Sequence, residues 1–198
     1  MNDRMLEFRL HGRGGQGIVV AAAIFAEAVF LGGSYARAFS LFGAERRGAP
    51  VTAFIRVSSD RLMPRSRIYQ PDYVVVCDPT LTGVDLAAGL KDEGTLLINA
   101  RKPLEERFSW LDQLNPGVKI YALDATDIAW KHDLAIGSFP MVNTVMLGAM
   151  ARLSGLADRK YLEESIRKRV SSKIEANLAA SGEGYELVKE VDRLAVRS

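Results

Sequence analysis

The sequence predicts an α/β fold: a mainly parallel, Rossmann-like three-layer sheet with a C-terminal helical cap. Three observations carry this. Strand-like segments rich in β-branched residues alternate with helix-like ones, the pattern of a parallel sheet. The run "DYVVVCDP" (Asp72–Pro79) is continuously apolar, as a central strand covered on both faces must be. The stretch "HGRGGQG" (His11–Gly17) sets a glycine-rich turn between a short strand and an apolar helix.

The elements follow in order. Glu7–His11 is the first strand, and a helix from about Gln16 to Leu31 follows the glycine turn. That helix is apolar nearly all round, broken only by Glu27, so it is expected to be buried on several sides. "SYARAFS" (Ser34–Ser40) reads as a second strand and "VTAFIRVSS" (Val51–Ser59) as a third, separated by the loop Leu41–Pro50 with its two Gly and a Pro. "GTLLINA" (Gly94–Ala100) and "VKIYALDA" (Val118–Ala125) repeat the strand pattern of Asp72–Pro79. Short helices are expected between them, at about Leu81–Leu90 and Glu105–Gln113. Beyond "SFPMVN" the chain turns helical. Met141–Leu153 ends at Ser154-Gly155, and a helix with Asp158 as N-cap follows. In that helix Leu162, Ile166 and Val170 form one stripe, with Glu163–Arg167 and Glu164–Lys168 as surface pairs. A further helix, Lys173–Ala180, stops at Ser181-Gly182, and the segment Tyr185–Ala195 comes last. Residues 1–198 are read as one domain, an α/β core over about 5–137 and a helical part over about 138–198.

Bulk properties narrow the class. Net charge is +2 and the basic residues are scattered, which gives no footprint for nucleic acid. No apolar run reaches the roughly 20 residues of a membrane span. The polar start "MNDRMLEFRLHG" has no signal-peptide core, so a cytoplasmic location is expected. The single cysteine, Cys77, ends an apolar run. It is read as a buried thiol, and it cannot by itself hold an iron–sulfur cluster.

A strand, a glycine turn and a helix start make an anion site, because first-turn amides are unpaired and the helix dipole adds positive charge. Gly12, Gly14 and Gly17 satisfy the spacing G-x-G-x-x-G, while Gly15 adds a further glycine. Arg13 and Gln16 supply side-chain donors suited to a phosphate, a carboxylate or a facing backbone. A dinucleotide site also needs an acid about 20 residues on. Here "SYARAFSLFG" holds Arg37 and no carboxylate, which disfavours NAD and leaves NADP, another ligand, or a tight turn with no ligand.

No catalytic set emerges. His11 and His132 are the two histidines, and neither has a metal-ligand companion at helical spacing. There is no G-x-S-x-G elbow and no Walker sequence. Asp78 and Asp124 each end a strand at the carboxyl edge, where they either orient a ligand or cap the next turn. In "FGAERRGAP", Glu45, Arg46 and Arg47 lie between Gly43 and Gly48. This is either an exposed turn or a loop aimed at an anionic ligand or a partner.

The blocks "GRGGQGIVVAAAIFAEA", "FGAERRGAPVTAFIRVS", "PDYVVVCDPTL" and "FPMVNTVMLGA" together resemble the gamma subunit of 2-oxoacid:acceptor (ferredoxin) oxidoreductases, over about Phe8 to Arg152. The resemblance implies an α/β chain without its own redox centre, in a complex that decarboxylates a 2-oxoacid oxidatively and passes the acyl group to coenzyme A. The expected partners are alpha, beta and ferredoxin-like delta subunits. Thiamine diphosphate is expected between the alpha and beta parts and iron–sulfur clusters in other parts. Carried over, Gly12 to Gly17 would bind coenzyme A or face a partner, and Gly43, Glu45, Arg46, Arg47, Gly48 and Asn143 would face the partner or the active site. For Asn143, a simple helix-start amide is the alternative. The rival to the whole reading is a free-standing Rossmann-type protein that binds NADP or another nucleotide.

Overall fold

The computed structural model describes residues 5–40, 47–60, 64, 66–82, 84–100 and 108–191. Strand β1 (Leu6–Arg13) leads through the glycine turn into helix α1 (Ile18–Leu31). Strands β2 (Tyr35–Ser40), β3 (Pro50–Ser58), β4 (Tyr73–Val76), β5 (Thr95–Asn99) and β6 (Lys119–Leu123) follow. After β6 come α2 (Ala125–Lys131), a hairpin of β7 (Ala135–Ile136) and β8 (Phe139–Pro140), then α3 (Asn143–Ser154), α4 (Arg159–Arg169), α5 (Ile174–Leu187) and β9 (Lys189–Glu190).

The main sheet has the order β2-β3-β1-β4-β5-β6-β9. Its centre, β1, β4, β5 and β6, is parallel, while β2, β3 and β9 enter antiparallel pairs. The mainly parallel expectation therefore holds at the centre and gives way at the flanks. A parallel crossover needs a dozen or more residues. The segment between β2 and β3 is shorter than that, so β3 returns antiparallel and inserts between β2 and β1. β1 also outruns its expected end, because Gly12 and Arg13 stay in register opposite Val51 and Pro50.

Phe8 and Leu10 point from β1 into one core, with Ile24 and Phe25 of α1. Phe8 stacks on Tyr73 with ring centroids 4.5 Å apart. The opposite face forms a second core of Val74, Val76, Leu96 and Ile98 under Leu86 and Leu111. Its cover departs from expectation. Where a helix was expected over Leu81–Leu90, the described residues form a turn at Leu86–Gly89: Asp85 Oδ1 accepts from the Ala87 amide at 3.1 Å, and Gly89 takes a left-handed φ of 68° where a Cβ would overlap the Tyr69 carbonyl. Of Glu105–Gln113, only Ser109–Gln113 lies within the described helix, as a 3₁₀ turn.

The helical part also corrects the sequence reading. Asp158 occupies the N-cap position of α4, but its side chain makes no capping bond. Glu163 bonds Arg159 one turn earlier in α4, while the cations of the two expected surface pairs bond to neighbouring helices, Arg167 to Glu175 of α5 and Lys168 to Glu27 of α1. α5 does not stop at Ser181-Gly182 but runs to Leu187. Gly148 of α3 and Gly184 of α5 mark close packing of the two helices, since a Cβ at either would overlap the partner's carbonyl oxygen, Ser181 O or Val145 O. Helix α2, which the polar stretch around His132 had concealed, starts on Asp124. That side chain accepts from the Asp127 amide at 2.8 Å.

Candidate functional site

The four parallel strands end together. Arg13 ends β1, Cys77 and Asp78 follow β4, Asn99 ends β5 and Asp124 follows β6. This carboxyl edge is where open α/β sheets bind ligands. Here it carries an open cleft of about 370 Å³, lined among others by Arg13, Gln16, Asp78, Thr80, Asn99 and Phe139.

Arg13 organises the cleft. Its Nε donates to Asp78 Oδ2 at 2.7 Å, one terminal nitrogen to Gly48 O at 3.2 Å, and the other to Thr80 Oγ1 at 3.0 Å. Asp78 also accepts from the Thr80 amide and hydroxyl at 3.0 and 2.6 Å. Asp78 thus caps its own turn, and it also pairs with Arg13 at the cleft. Gln16 folds back, its Oε1 accepting from the Arg13 amide at 2.7 Å. Asn99 has no motif around it and sequence reading passed over it. Its Oδ1 accepts from the Ala125 amide at 2.9 Å, and its Nδ2 donates to Cys77 O at 2.9 Å and Thr126 Oγ1 at 3.0 Å. It ties three strand ends into one floor. An Asn at the end of an apolar strand was the available signal.

The two loop blocks meet. The Gly14 amide donates to Ala49 O at 2.8 Å and the Gly48 amide to Gly14 O at 2.9 Å. Arg47 lies with its guanidinium 5.2 Å over the Phe139 ring and donates to Ile136 O at 3.4 Å, so it anchors the β7–β8 hairpin to the glycine turn. Gly43, Glu45 and Arg46 lie outside the described residues. Gly15 and Gly17 are left-handed, at φ 96° and 72°. Gly17 is also the α1 N-cap, with no side-chain cap on that helix. Asn143 starts α3 as expected, but it is buried and packs on Gly17: a Cβ on residue 17 would lie 2.5 Å from Asn143 Nδ2. The structure therefore joins the glycine turn, Arg47, Gly48 and Asn143 into one region.

Two buried titratable groups lie beside this region. Burial, with Arg9 and Arg67 adding repulsion, pushes the His11 imidazole down to about 3. Burial pushes the Cys77 thiol up to about 12, with Asp78 adding to it. Cys77 is expected to resist a thiol reagent in the native chain and to react on unfolding, measured by thiol titration with and without denaturant.

The acid side of stability follows from these groups. A buried neutral His11 contributes stability that is complete above its ordinary value of 6.5 and is lost progressively as pH falls toward about 3, because only the unfolded imidazole takes up a proton there. Glu183 of α5 accepts from Lys131 at 2.8 Å and contacts His132 at 2.8 Å. The Lys131 bond first, then His132, holds its carboxyl below the ordinary 4.5. That contribution is present above 4.5 and is lost as pH falls through the lowered folded value. Urea midpoints should therefore fall between about pH 7 and pH 4, and Glu183→Gln should flatten the lower part of that curve.

The topology weakens the dinucleotide rival. Arg37, which a 2′-phosphate would need, lies on β2, and β3 separates β2 from the glycine-bearing β1. Among the described residues, no group of three or more His, Cys, Asp or Glu could hold a metal ion, and no helix is long and apolar enough to cross a membrane.

Comparison with known proteins gives one family. The family model described as pyruvate ferredoxin/flavodoxin oxidoreductase matches residues 7–187. The common gamma subunit of pyruvate/ketoisovalerate oxidoreductases of Pyrococcus furiosus is 47% identical over 184 residues, covering 92% of this chain and 96% of that one. Pyruvate synthase subunit PorC of Methanocaldococcus jannaschii is 42% identical, covering 94% and 99%. Among solved structures, pyruvate oxidoreductase subunit PORC of Thermotoga maritima superposes with a TM-score of 0.78 at 36% identity, covering 96% and 99%. The 2-oxoglutarate:ferredoxin oxidoreductase of Magnetococcus marinus, solved with 2-oxoglutarate, coenzyme A and succinyl-CoA bound, shares the fold at a TM-score of 0.72 and 21% identity, covering 96% of this chain and 32% of that one.

Proposed function

Because the chain belongs to the pyruvate ferredoxin/flavodoxin oxidoreductase family, matching gamma-type subunits along nearly their whole length, we propose that it works as one gamma-type domain covering the active site of a 2-oxoacid:ferredoxin oxidoreductase. In that assembly a 2-oxoacid loses carbon dioxide, two electrons pass to a ferredoxin-type acceptor, and the acyl group passes to the thiol of coenzyme A. Thiamine diphosphate would sit between alpha and beta subunits and supply the carbanion chemistry. The clusters would sit in other parts, including a ferredoxin-like delta subunit. This chain's residues do not fit a cluster: Cys77 is its one thiol, and it is buried and held protonated. The setting would be the cytoplasm.

The observation that carries this chain's share of the work is the cleft at the carboxyl edge, with the Arg13–Asp78 pair at its wall. Coenzyme A would enter along it. Arg13 and the glycine turn offer donors to the ligand's polar parts, and Phe139 and Pro140 offer an apolar wall to its pantetheine arm. The hairpin that bears Phe139 would gate the opening, held by Arg47. One neighbour of the same fold, from Magnetococcus marinus, was solved with coenzyme A bound, which supports the reading.

The test is reconstitution. The isolated chain should neither oxidise 2-oxoacids nor bind NADPH. It should co-purify with thiamine and iron–sulfur subunits, and their coenzyme A-dependent turnover should require it. Tight NADPH binding by the isolated chain, without such partners, would return the nucleotide-binding rival.

A further inference from the structure

We propose that Arg9 and His11, buried side by side on β1, bind one small monoanion, a halide or a simple carboxylate, as the counter-charge of Arg9. The site lies on the sheet face beside the second core, apart from the cleft assigned above to coenzyme A, and it does not depend on that assignment.

Alternation along β1 sends Phe8 and Leu10 to one face and Glu7, Arg9 and His11 to the other. Arg9 is 6% exposed and His11 3%. A charged group this deep is almost always paired. Arg56, opposite Glu7 on β3 and equally buried, follows that rule. Its Nε donates to Glu7 at 2.7 Å, and a terminal nitrogen donates to Pro64 O and Ser66 O at 2.7 and 2.6 Å. Arg9 does not follow it. Among the described residues its side chain makes one hydrogen bond, from a terminal nitrogen to Leu86 O at 3.3 Å, and no ion pair. Its cross-strand neighbours are Phe54 and Val74, whose side chains offer no acceptor. Burial pushes its guanidinium down from the ordinary value, and Asp85 opposes this only through space.

Two nitrogens are left over. Arg9 Nε and His11 Nε2 are both buried without a hydrogen-bond partner. Arg9 Nε–H is a donor only and calls for an acceptor. His11 is held neutral by burial, so its ring carries one N–H. Thr52 Oγ1 lies 3.4 Å from Nδ1, and its hydroxyl can donate there, which places the ring proton on Nε2. Both nitrogens then donate. Two residues along a strand span about 7 Å, a gap that one ion at hydrogen-bond distance from each can bridge. Arg67 adds a third cation, near enough to repel both groups. A bridging water would satisfy the two donors but leave the charge of Arg9 uncompensated, so an anion is favoured. Because both nitrogens are shut off from solvent, the fitting ligand is a single compact ion and not an extended phosphate ester.

Titration of the full chain with sodium chloride, and separately with sodium formate, tests this. Ionic strength is held constant with sodium gluconate, whose anion is too bulky for a buried site. NMR follows the Arg9 Nε–H, the His11 ring nitrogens and the Thr52 amide. Saturable shifts at all three, absent in gluconate alone, are expected, and the salt that saturates at the lower concentration separates halide from carboxylate. Arg9→Met should abolish the rise in urea midpoint that the small anion gives the parent. In gluconate alone the same variant should be at least as stable as the parent, because it removes a buried charge without a partner. A variant much less stable than the parent in gluconate would mean that Arg9 is compensated within the chain, and would overturn the proposal. So would wild-type shifts that are the same in gluconate, or an Arg9 Nε–H signal indifferent to every anion, the mark of a water in that place.

Discussion

Gly148→Ala is expected to destabilise the chain by roughly 3 kcal/mol, read as a lower urea midpoint and loss of the cooperative transition near room temperature. Helix propensity alone gives the opposite sign, since alanine in a helix interior gains about 1 kcal/mol over glycine. Packing decides. The added methyl would overlap the Ser181 carbonyl of α5, a backbone atom that no rotamer change can move. α3 and α5 would have to separate, breaking the buried bond from Thr144 Oγ1 to Asn177 Oδ1 at 2.9 Å. Gly184, facing the Val145 carbonyl from the other helix, should behave alike. A Gly148→Ala variant as stable as the parent would mean that α3 and α5 do not pack this closely.

Arg13→Gln is expected to lower coenzyme A-dependent turnover of the assembled complex by about tenfold, chiefly through a raised KM for coenzyme A. It should also cost the chain about 1–2 kcal/mol of stability. The guanidinium pins three segments at once: Asp78 after β4, Thr80 beyond it, and Gly48 before β3. It is partly exposed, with 28% of its side-chain surface accessible, so the stability loss is smaller than for a buried pair. Arg13→Lys should rescue little, because an ammonium cannot span the same set of acceptors. If lysine restores the KM, only charge matters at this position and the forked geometry does not. A stability loss without a kinetic effect would make Arg13 a structural tie alone.

Much of the fold was legible because its signals are local. Continuous apolar runs gave β4, β5 and β6, and the glycine turn gave β1 and α1. Two of the departures turn on what a glycine faces. Glycine was read as a local stop at Ser181-Gly182, whereas Gly184 next to it serves contact with another helix. At Gly89 the reverse holds: a left-handed glycine sits against the Tyr69 carbonyl, at the end of a turn where a helix was expected. Helix α2 lies in a polar segment: the Asp124 cap is legible as a turn cap, but the contact of His132 with Glu183 depends on a partner far off in the chain.

The site divides the same way. By itself the sequence determined that the chain carries a glycine-rich turn at a helix start, that it lacks the acid of a dinucleotide site, and that its one thiol cannot hold a cluster. These are properties of residue type and spacing, which survive any folding. Only the tertiary structure decided what the turn faces. Arg13 and Gln16, read as donors to a ligand, are largely engaged within the chain, and Arg47, read as partner-facing, is laid across Phe139. Gly17 and Asn143, distant in sequence, fit each other because α1 and α3 begin side by side. A pattern records which groups are available. Which of them remain free to meet a ligand depends on what packs against them, and contacts between residues so far apart in sequence leave no periodicity to read.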